Sequence, residues 1–322
     1  MHTTHNEVDL RLRVDTRTTG AEGVVVLDLR DPSGAELPAW AAGAHVDLVL
    51  PEGLTRQYSL CGDPDDRSVW RIAVLREPES RGGSRHVHES LVEGSEIHVR
   101  GPRCNFPLVE SRRYVFIAGG IGITPILPMT TAAEAAGANW ELHYGGRSRR
   151  SMAFVAALDE ATGNRVTLYP QDEVGLIDLP KILGSPRPDT LVYACGPEPL
   201  LKAIDQHSAA WAEGSLHVER FSPKDLGEPV LSESFEVELA ASGLTLTVPP
   251  DKSILEIVEE AGIFVDSACQ EGTCGTCETP VLRGEVDHRD SLLTRAEQAA
   301  NETMFICVSR AACPKLVLEL SG

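Results

Sequence analysis

The stretch Cys269-Gln-Glu-Gly-Thr-Cys274-Gly-Thr-Cys277, answered downstream by Cys307, constrains this chain more than any other feature. A Cys-x4-Cys-x2-Cys run with a distant fourth cysteine is the plant-type ligand pattern of a [2Fe–2S] cluster, in which four thiolates hold two irons. Gly272 and Gly275 let such a loop curl tightly and turn backbone N–H groups toward the sulfur, whose negative charge they offset. Structural zinc also takes four cysteines, but usually as two Cys-x2-Cys knuckles, and only the 274/277 pair has that spacing here. Disulfides belong to oxidising compartments and small secreted chains, which this sequence does not resemble. Cys61, Cys104 and Cys313 read as small buried hydrophobes.

At 322 residues the chain exceeds one ordinary core and implies two or three domains. Its 42% hydrophobic and 24% charged residues describe a soluble globular protein. No apolar h-region marks the first residues, and no signal peptide is expected. The longest apolar run, 114–129, is broken by three glycines and two prolines and falls short of a membrane span. A cytoplasmic location, without membrane contact, is the expectation. The net charge of −19 argues against nucleic acid, because phosphate backbones need basic patches. From residue 232 onward, 16 acidic residues face 6 basic ones. That segment is either a solvated face or a field that steers a basic partner.

Residues 8–14 alternate apolar and polar in the period of a half-buried strand. Strand-like runs follow at 23–30, 45–50, 69–76 and 96–100, separated by Gly/Pro/Asp turns, which predicts an antiparallel β-barrel. Arg56-Gln-Tyr58-Ser59 offers a cation, an aromatic ring and a hydroxyl suited to a phosphate-bearing flat ring. Arg81-Gly82-Gly83-Ser84, before a helix expected over 85–92, offers N–H groups where the helix dipole favours an anion. Alone, each phrase could be surface packing or a turn; together they describe a phosphate-tailed ring.

At Tyr114 the period changes to a continuous apolar strand of the doubly covered, parallel kind. Gly119-Gly120-Ile-Gly122-Ile-Thr124-Pro125 then opens a helix expected to run to about 137, the context of a pyrophosphate site, although a tight turn without ligand has the same pattern. Strands expected at 140–144, 165–169, 191–194 and 215–218 alternate with helices near 152–162 and 198–211, giving a βαβ domain with a parallel sheet. Cys195-Gly196-Pro197 ends one of these strands; a small thiol followed by Gly and Pro lets a flat ring approach, or simply caps a helix start. Residues 222–229 read as a linker. Beyond it come a hairpin (235–240 and 244–248), a helix over 253–261 capped by Ser253, the cysteine loop, and a last strand over 315–320.

In this order the phrases Arg56-Gln-Tyr-Ser59, Arg81-Gly-Gly-Ser84, Gly119-Gly-Ile-Gly-Ile-Thr-Pro125, Cys195-Gly-Pro197, Glu219-Arg-Phe221 and the four cysteines resemble the phthalate dioxygenase reductase family, which includes the vanillate demethylase reductases. The resemblance covers essentially the whole chain. It implies a flavin barrel over 1–110, a nicotinamide-nucleotide α/β domain over 111–225 and a plant-type ferredoxin domain of the β-grasp kind over 226–322. It places Arg56 and Ser84, with Arg81, Gly82 and Gly83, on the flavin phosphate, Tyr58 on the flavin and Ser59 on its isoalloxazine. Gly119, Gly120, Gly122, Thr124, Cys195, Gly196, Pro197 and Phe221 are implied on the nucleotide and flavin side, and Cys269, Cys274, Cys277 and Cys307 on the cluster. Members with this C-terminal ferredoxin and an Arg-Gly-Gly-Ser site carry FMN rather than FAD. Relatives commonly have Gly where Pro280 stands, which unsettles a turn expected there.

Electron counting completes the expectation: NADH gives two electrons as hydride, the cluster takes one at a time, and a flavin can do both. No acid or base residue is required, so the protein's work is positioning. The expected acceptor is a Rieske non-haem iron oxygenase, with a cytochrome P450 as the alternative and a stand-alone iron–sulfur carrier or redox sensor as a reading of another class. Nucleotide choice pulls both ways. Gly145-Gly-Arg-Ser-Arg-Arg150 could clamp a 2′-phosphate or merely be solvated, and the resemblance tips the expectation to NADH.

Overall fold

The computed structural model describes residues 7–78, 82–161, 163–224 and 227–320. By internal contact the chain divides into two compact units, Met1–Glu219 and Arg220–Gly322. Among the described residues no helix is long and apolar enough to cross a membrane.

The first part of the N-terminal unit is an antiparallel sheet of β1 (Val8–Ala21), β2 (Val24–Arg30), β3 (Ala44–Val49), β4 (Thr55–Ser59), β5 (Trp70–Leu75) and β6 (Glu96–Cys104), with helix α1 (Gly83–Ser90) before β6. The strand order is β4-β3-β6-β1-β2-β5. The two outer strands meet through a Leu60–Ile72 bridge and a 2.9 Å bond from the Cys61 N–H to the Arg71 carbonyl, which curls the sheet into a barrel. Strand alternation does the sorting: Leu12 and Val14 are fully buried while Asp9, Arg11 and Arg13 face outward. Leu27, Leu29, Val46, Leu48, Trp70, Ile72 and Val99 complete the core, and each fully buried apolar side chain contributes roughly 1.5–3 kcal/mol. β1 runs seven residues past the alternation seen in the sequence, continuing to Ala21 through a register shift opposite β2.

Next come β7 (Arg113–Gly119), α2 (Ile123–Ala135), β8 (Asn139–Gly146), α3 (Val155–Ala161), β9 (Val166–Pro170), α4 (Gln171–Val174), α5 (Leu179–Leu183), β10 (Thr190–Cys195), α6 (Glu198–His207) and β11 (Leu216–Glu219). The sheet order is β11-β10-β7-β8-β9, all parallel. The apolar run of β7 is continuous because both of its faces are covered. Tyr114, Phe116 and Ala118 pack with Ile123, Ile126 and Met129 of α2, whereas Val115 and Ile117 pack with Leu179 and Leu183 of α5 and Leu201 and Ile204 of α6. The chain turns one way from β7 to β8 and the other way to β10, so the β7/β10 boundary is the topological switch point where α/β sheets open a ligand crevice.

The C-terminal unit holds β12 (Phe235–Leu239), β13 (Leu244–Val248), α7 (Ile254–Glu260), β14 (Glu278–Arg283), β15 (Val286–Asp287), α8 (Arg295–Ala300), β16 (Thr303–Phe305), β17 (Arg310–Ala311) and β18 (Lys315–Leu318). Its main sheet runs β13-β12-β18-β14-β16, with β12 and β18 parallel inside otherwise antiparallel pairs. α7 is capped by Ser253, whose hydroxyl accepts the Glu256 N–H, and it buries Ile254, Leu255 and Val258. This is the ferredoxin-like arrangement expected from the sequence.

Several local expectations are corrected. Residues 120–122 form a separate 3-10 turn and α2 begins only at Ile123. α1 starts two residues earlier than expected, so Gly83 and Ser84 are its first residues. The helix expected over 152–162 starts at Val155, after Phe154 at φ 64°, and Thr162 lies outside the described residues. Trp211 lies beyond α6, its indole N–H donating to the Leu183 carbonyl at 2.7 Å. Pro280 sits in β14 opposite Thr303, where its carbonyl accepts the Glu319 N–H at 3.0 Å, so it occupies a strand rather than a turn. Cys61 is buried as expected, but Cys104 and Cys313 are only half-buried.

Candidate cofactor sites

On β4, Arg56 lies opposite Leu48 and Tyr58 opposite Val46, which puts the cation and the ring on one pleat and the buried Ser59 on the other. A Cβ added to Gly83 would fall 2.6 Å from Arg56 Cγ and 3.1 Å from its Nε, so the arginine lies across the start of α1. Gly82, the residue before the helix, has φ 101°, a left-handed conformation that favours glycine. The Ser84 hydroxyl oxygen accepts the Glu77 N–H at 3.1 Å, which fixes the oxygen and leaves its proton to donate. A guanidinium, a hydroxyl and a helix N-terminus thus converge as an anion cradle. Burial pushes the Tyr58 phenol up to about 12, against the pull of Arg56, so the ring is a neutral hydrogen-bonding group. Arg81 lies outside the described residues.

At the switch point the glycines are there because nothing larger fits. A Cβ on Gly122 would stand 2.4 Å from the Cys195 carbonyl oxygen and 2.7 Å from the Gly196 nitrogen. One on Gly196 would meet Gly119 backbone at 3.0 Å, and one on Gly119 would meet Pro197 Cδ at 2.7 Å. Gly119, Gly122, Cys195, Gly196 and Pro197 are therefore one seam of touching backbone at the ends of β7 and β10. Gly120, at φ 55° with no heavy atom near its would-be Cβ, supplies the turn instead. Thr124 is buried and its hydroxyl donates to the Ile121 carbonyl at 3.0 Å, so it braces that turn. The Gly145–Arg150 phrase ends β8 in a 3-10 turn with a Ser148/Ser151 capping box, and the Arg150 carbonyl accepts the Glu22 N–H at 2.9 Å. Phe221, at the start of the C-terminal unit, is 45% exposed.

Sequence reasoning assigned no role to Glu219, which the structure brings to this seam. The fully buried Cys195 thiol donates to Glu219 Oε2 at 3.9 Å, across 24 residues of sequence. Burial pushes the Glu219 carboxyl up to about 8, the thiol hydrogen bond pulling it the other way, and burial likewise pushes the Cys195 thiol up. Nothing local in Glu219-Arg-Phe distinguishes this carboxyl from a surface acid. Its partner is set by the pairing of β10 with β11, which brings Cys195 opposite Glu219.

In the C-terminal unit Cys269, Cys274, Cys277 and Cys307 are all buried, 8% exposed at most. The N–H groups of Glu271 and Thr273 donate to the Cys269 sulfur at 3.3 and 3.4 Å, and the Cys269 N–H donates to the Cys274 sulfur at 3.5 Å. The adjoining Cys274 and Cys307 thiols, with Thr273 and the Glu271 N–H behind them, hold Cys269 below the usual thiol range. Gln270, Gly272 and Gly275 all have positive φ, at 56°, 67° and 82°; the sequence pointed to the two glycines but not to Gln270. A Cβ on Gly272 would lie 2.6 Å from a Val308 methyl and 3.0 Å from Asp290 Cα, so the loop is pressed against its surroundings. Four thiols in this sequence spacing are the donor set of a [2Fe–2S] cluster, in which each iron would take two thiolates.

Residues 237–312 match a 2Fe-2S iron-sulfur cluster binding domain. Over 313 residues the chain is 43% identical to phenoxybenzoate dioxygenase subunit beta of Ectopseudomonas oleovorans, covering 96% of this chain and 97% of that one. A solved phthalate dioxygenase reductase, described as a modular structure for electron transfer from pyridine nucleotides to [2Fe–2S], superimposes with TM-score 0.71 at 34% identity, covering 97% and 98% of the two chains. An intact type IV self-sufficient cytochrome P450 monooxygenase superimposes with TM-score 0.91 at 46% identity over 97% of this chain. This chain spans only 41% of that P450's length.

Proposed function

Since the chain belongs to the phthalate dioxygenase reductase family, the electron-transfer oxidoreductases of oxygenase systems, we propose that it passes electrons from NADH through FMN and a [2Fe–2S] cluster to a Rieske non-haem iron oxygenase. The carrying observation is the set of four buried thiols with backbone N–H groups aimed at sulfur. A bound flavin would supply the conversion between a two-electron nicotinamide donor and a one-electron iron–sulfur acceptor. The rest is positioning by this chain. Arg56, Gly82, Gly83 and Ser84 hold the flavin phosphate, with Arg81 continuing the same phrase, while Tyr58 and Ser59 hold the ring. Gly119, Gly120, Gly122, Cys195, Gly196 and Pro197 give the nucleotide a floor of bare backbone, Thr124 stiffens the turn beneath it, and Phe221 ends the Glu219-Arg-Phe phrase that the family resemblance places among the cofactor-binding residues. The domains on this reading are 1–110 for flavin, 111–225 for nucleotide and 226–322 for the cluster.

An absorption spectrum taken during NADH titration tests the scheme. Flavin and cluster bands should both bleach; a protein without flavin bands that NADH fails to bleach would instead be a carrier. Extracted flavin should run as FMN, the flavin that the family resemblance implies for an Arg-Gly-Gly-Ser phosphate site beside a C-terminal ferredoxin domain. NADH should give a higher specificity constant than NADPH; the reverse result would make Arg147, Arg149 and Arg150 a 2′-phosphate clamp. A P450 acceptor is the second reading, favoured by the 46% identity to the self-sufficient P450. Product formation with a purified Rieske oxygenase or a P450, each supplied with NADH and this chain, separates the two.

A further inference from the structure

We propose that Phe264 and the acidic residues flanking it form the surface on which the electron-accepting protein docks, and that this partner offers an apolar recess ringed by lysine or arginine beside its own redox centre. The proposal rests on the reductase reading above and deepens it. Phe264 is 84% exposed, the most exposed large hydrophobic among the described residues. Its neighbours explain the orientation: α7 ends at Glu260, Gly262 turns the chain at φ 84°, and both Ile263 and Val265 pack against the core of the unit. Anchored on either side, the extended chain turns the intervening ring outward. A single exposed apolar residue is ordinary. A ring held in place a few residues from the cysteine loop is not, because a preordered aromatic anchor loses little entropy on binding. Phe264 stands five residues before Cys269, so at most about 17 Å of extended chain separates the ring's backbone from the cluster loop.

The charges point the same way. Between 251 and 271, Asp251, Glu256, Glu259, Glu260, Asp266 and Glu271 face one cation, Lys252. Glu259 and Glu260 lie in the last turn of α7, which has no basic residue. That is the negative end of the helix dipole, where acidic side chains weaken a helix. Lys252 reaches Glu260 at 2.5 Å, but the local excess remains negative. Acids placed against their own helix are accounted for by a partner that carries the opposite charge and is steered by it.

The test uses the holoprotein with NADH and two acceptors: ferricyanide, a small anion needing no docking surface, and cytochrome c, a lysine-rich protein with an apolar edge at its haem. Phe264→Ala should raise the KM for cytochrome c by about five- to tenfold, and Phe264→Trp should restore it. Glu259→Lys with Glu260→Lys should flatten the fall of cytochrome c reduction with salt. Ferricyanide reduction should be unchanged in all of them. An unaltered KM in Phe264→Ala, or a parallel loss of ferricyanide reduction, would overturn the proposal, the latter because it puts the ring's role inside the chain. A wild-type protein unable to reduce ferricyanide with NADH would instead remove the reductase reading itself.

Discussion

The crevice at the ends of β7 and β10 and the cysteine loop of the C-terminal unit make sites by opposite means. The crevice is made by side chains that are missing: Gly119, Gly122 and Gly196 bring bare backbone to within van der Waals contact, leaving a surface that a flat or phosphate-bearing group can approach. The cysteine loop is made by side chains that are present, four thiols toward which the backbone is folded so that its N–H groups meet sulfur. The first arrangement tolerates no added carbon, and the second no lost sulfur. Their failures should therefore look different: loss of fit in one, loss of the bound group outright in the other.

The largest effect is expected at the loop. Cys274→Ala should abolish the cluster's visible bands while flavin remains bound, because each iron needs both of its thiolates; an intact cluster spectrum would remove Cys274 from the ligand set. Next, Gly122→Ala forces a carbon to 2.4 Å from the Cys195 carbonyl, and overpacking against backbone costs about 1–3 kcal/mol or more. Gly120→Ala, which meets no neighbour but must adopt φ 55°, should cost only about 1 kcal/mol. Thermal unfolding of the pair measures the difference, and equal losses would show that turn strain rather than the seam is what matters. Arg56→Ala should weaken FMN binding by about 1.5–3 kcal/mol, read as flavin lost on gel filtration with the cluster bands unchanged.

The effect that depends on pH concerns Glu219. Its folded pKa, raised to about 8 from 4.5, means that the folded state binds the proton more tightly than the unfolded chain. The associated stability is complete below about pH 4.5 and is lost as the pH rises through about 8. Glu219→Gln carries no such titration, so its unfolding free energy relative to wild type should rise between pH 5 and pH 9 by about 1–3 kcal/mol once partial solvent access is allowed for, read as a matching rise in relative melting temperature. A difference that does not change with pH would mean that Glu219 ionises normally beside Cys195.

The two sites also differ in how far they could be read from sequence. Three of the four cysteines expected as ligands lie within nine residues, and the spacing of a cluster loop is a local property of the chain. The same holds for strand and helix periodicity: the alternation of β1, the doubly covered run of β7 and the Ser253 cap all appeared where their residue pattern placed them. Short elements such as α4, α5, α8, β14 and β16 did not, because three to six residues carry too little period to outweigh tertiary packing. Pro280 shows the same limit, being a turn residue by type and a strand residue by its neighbours.

What this sequence determined alone, then, was the type of its longer, strongly periodic elements and the spacing of the cysteine loop, since both depend on residues close together in the chain. Only the tertiary structure decided that Arg56 lies across Gly83, that Gly122 meets the Cys195 carbonyl, and that Cys195 faces Glu219. Those contacts span 24 to 73 residues, and they exist because sheet order sets β10 beside both β7 and β11 while barrel closure returns α1 to β4. Strand order is a property of the whole packed core, to which many weak contacts contribute and which no single phrase of sequence encodes.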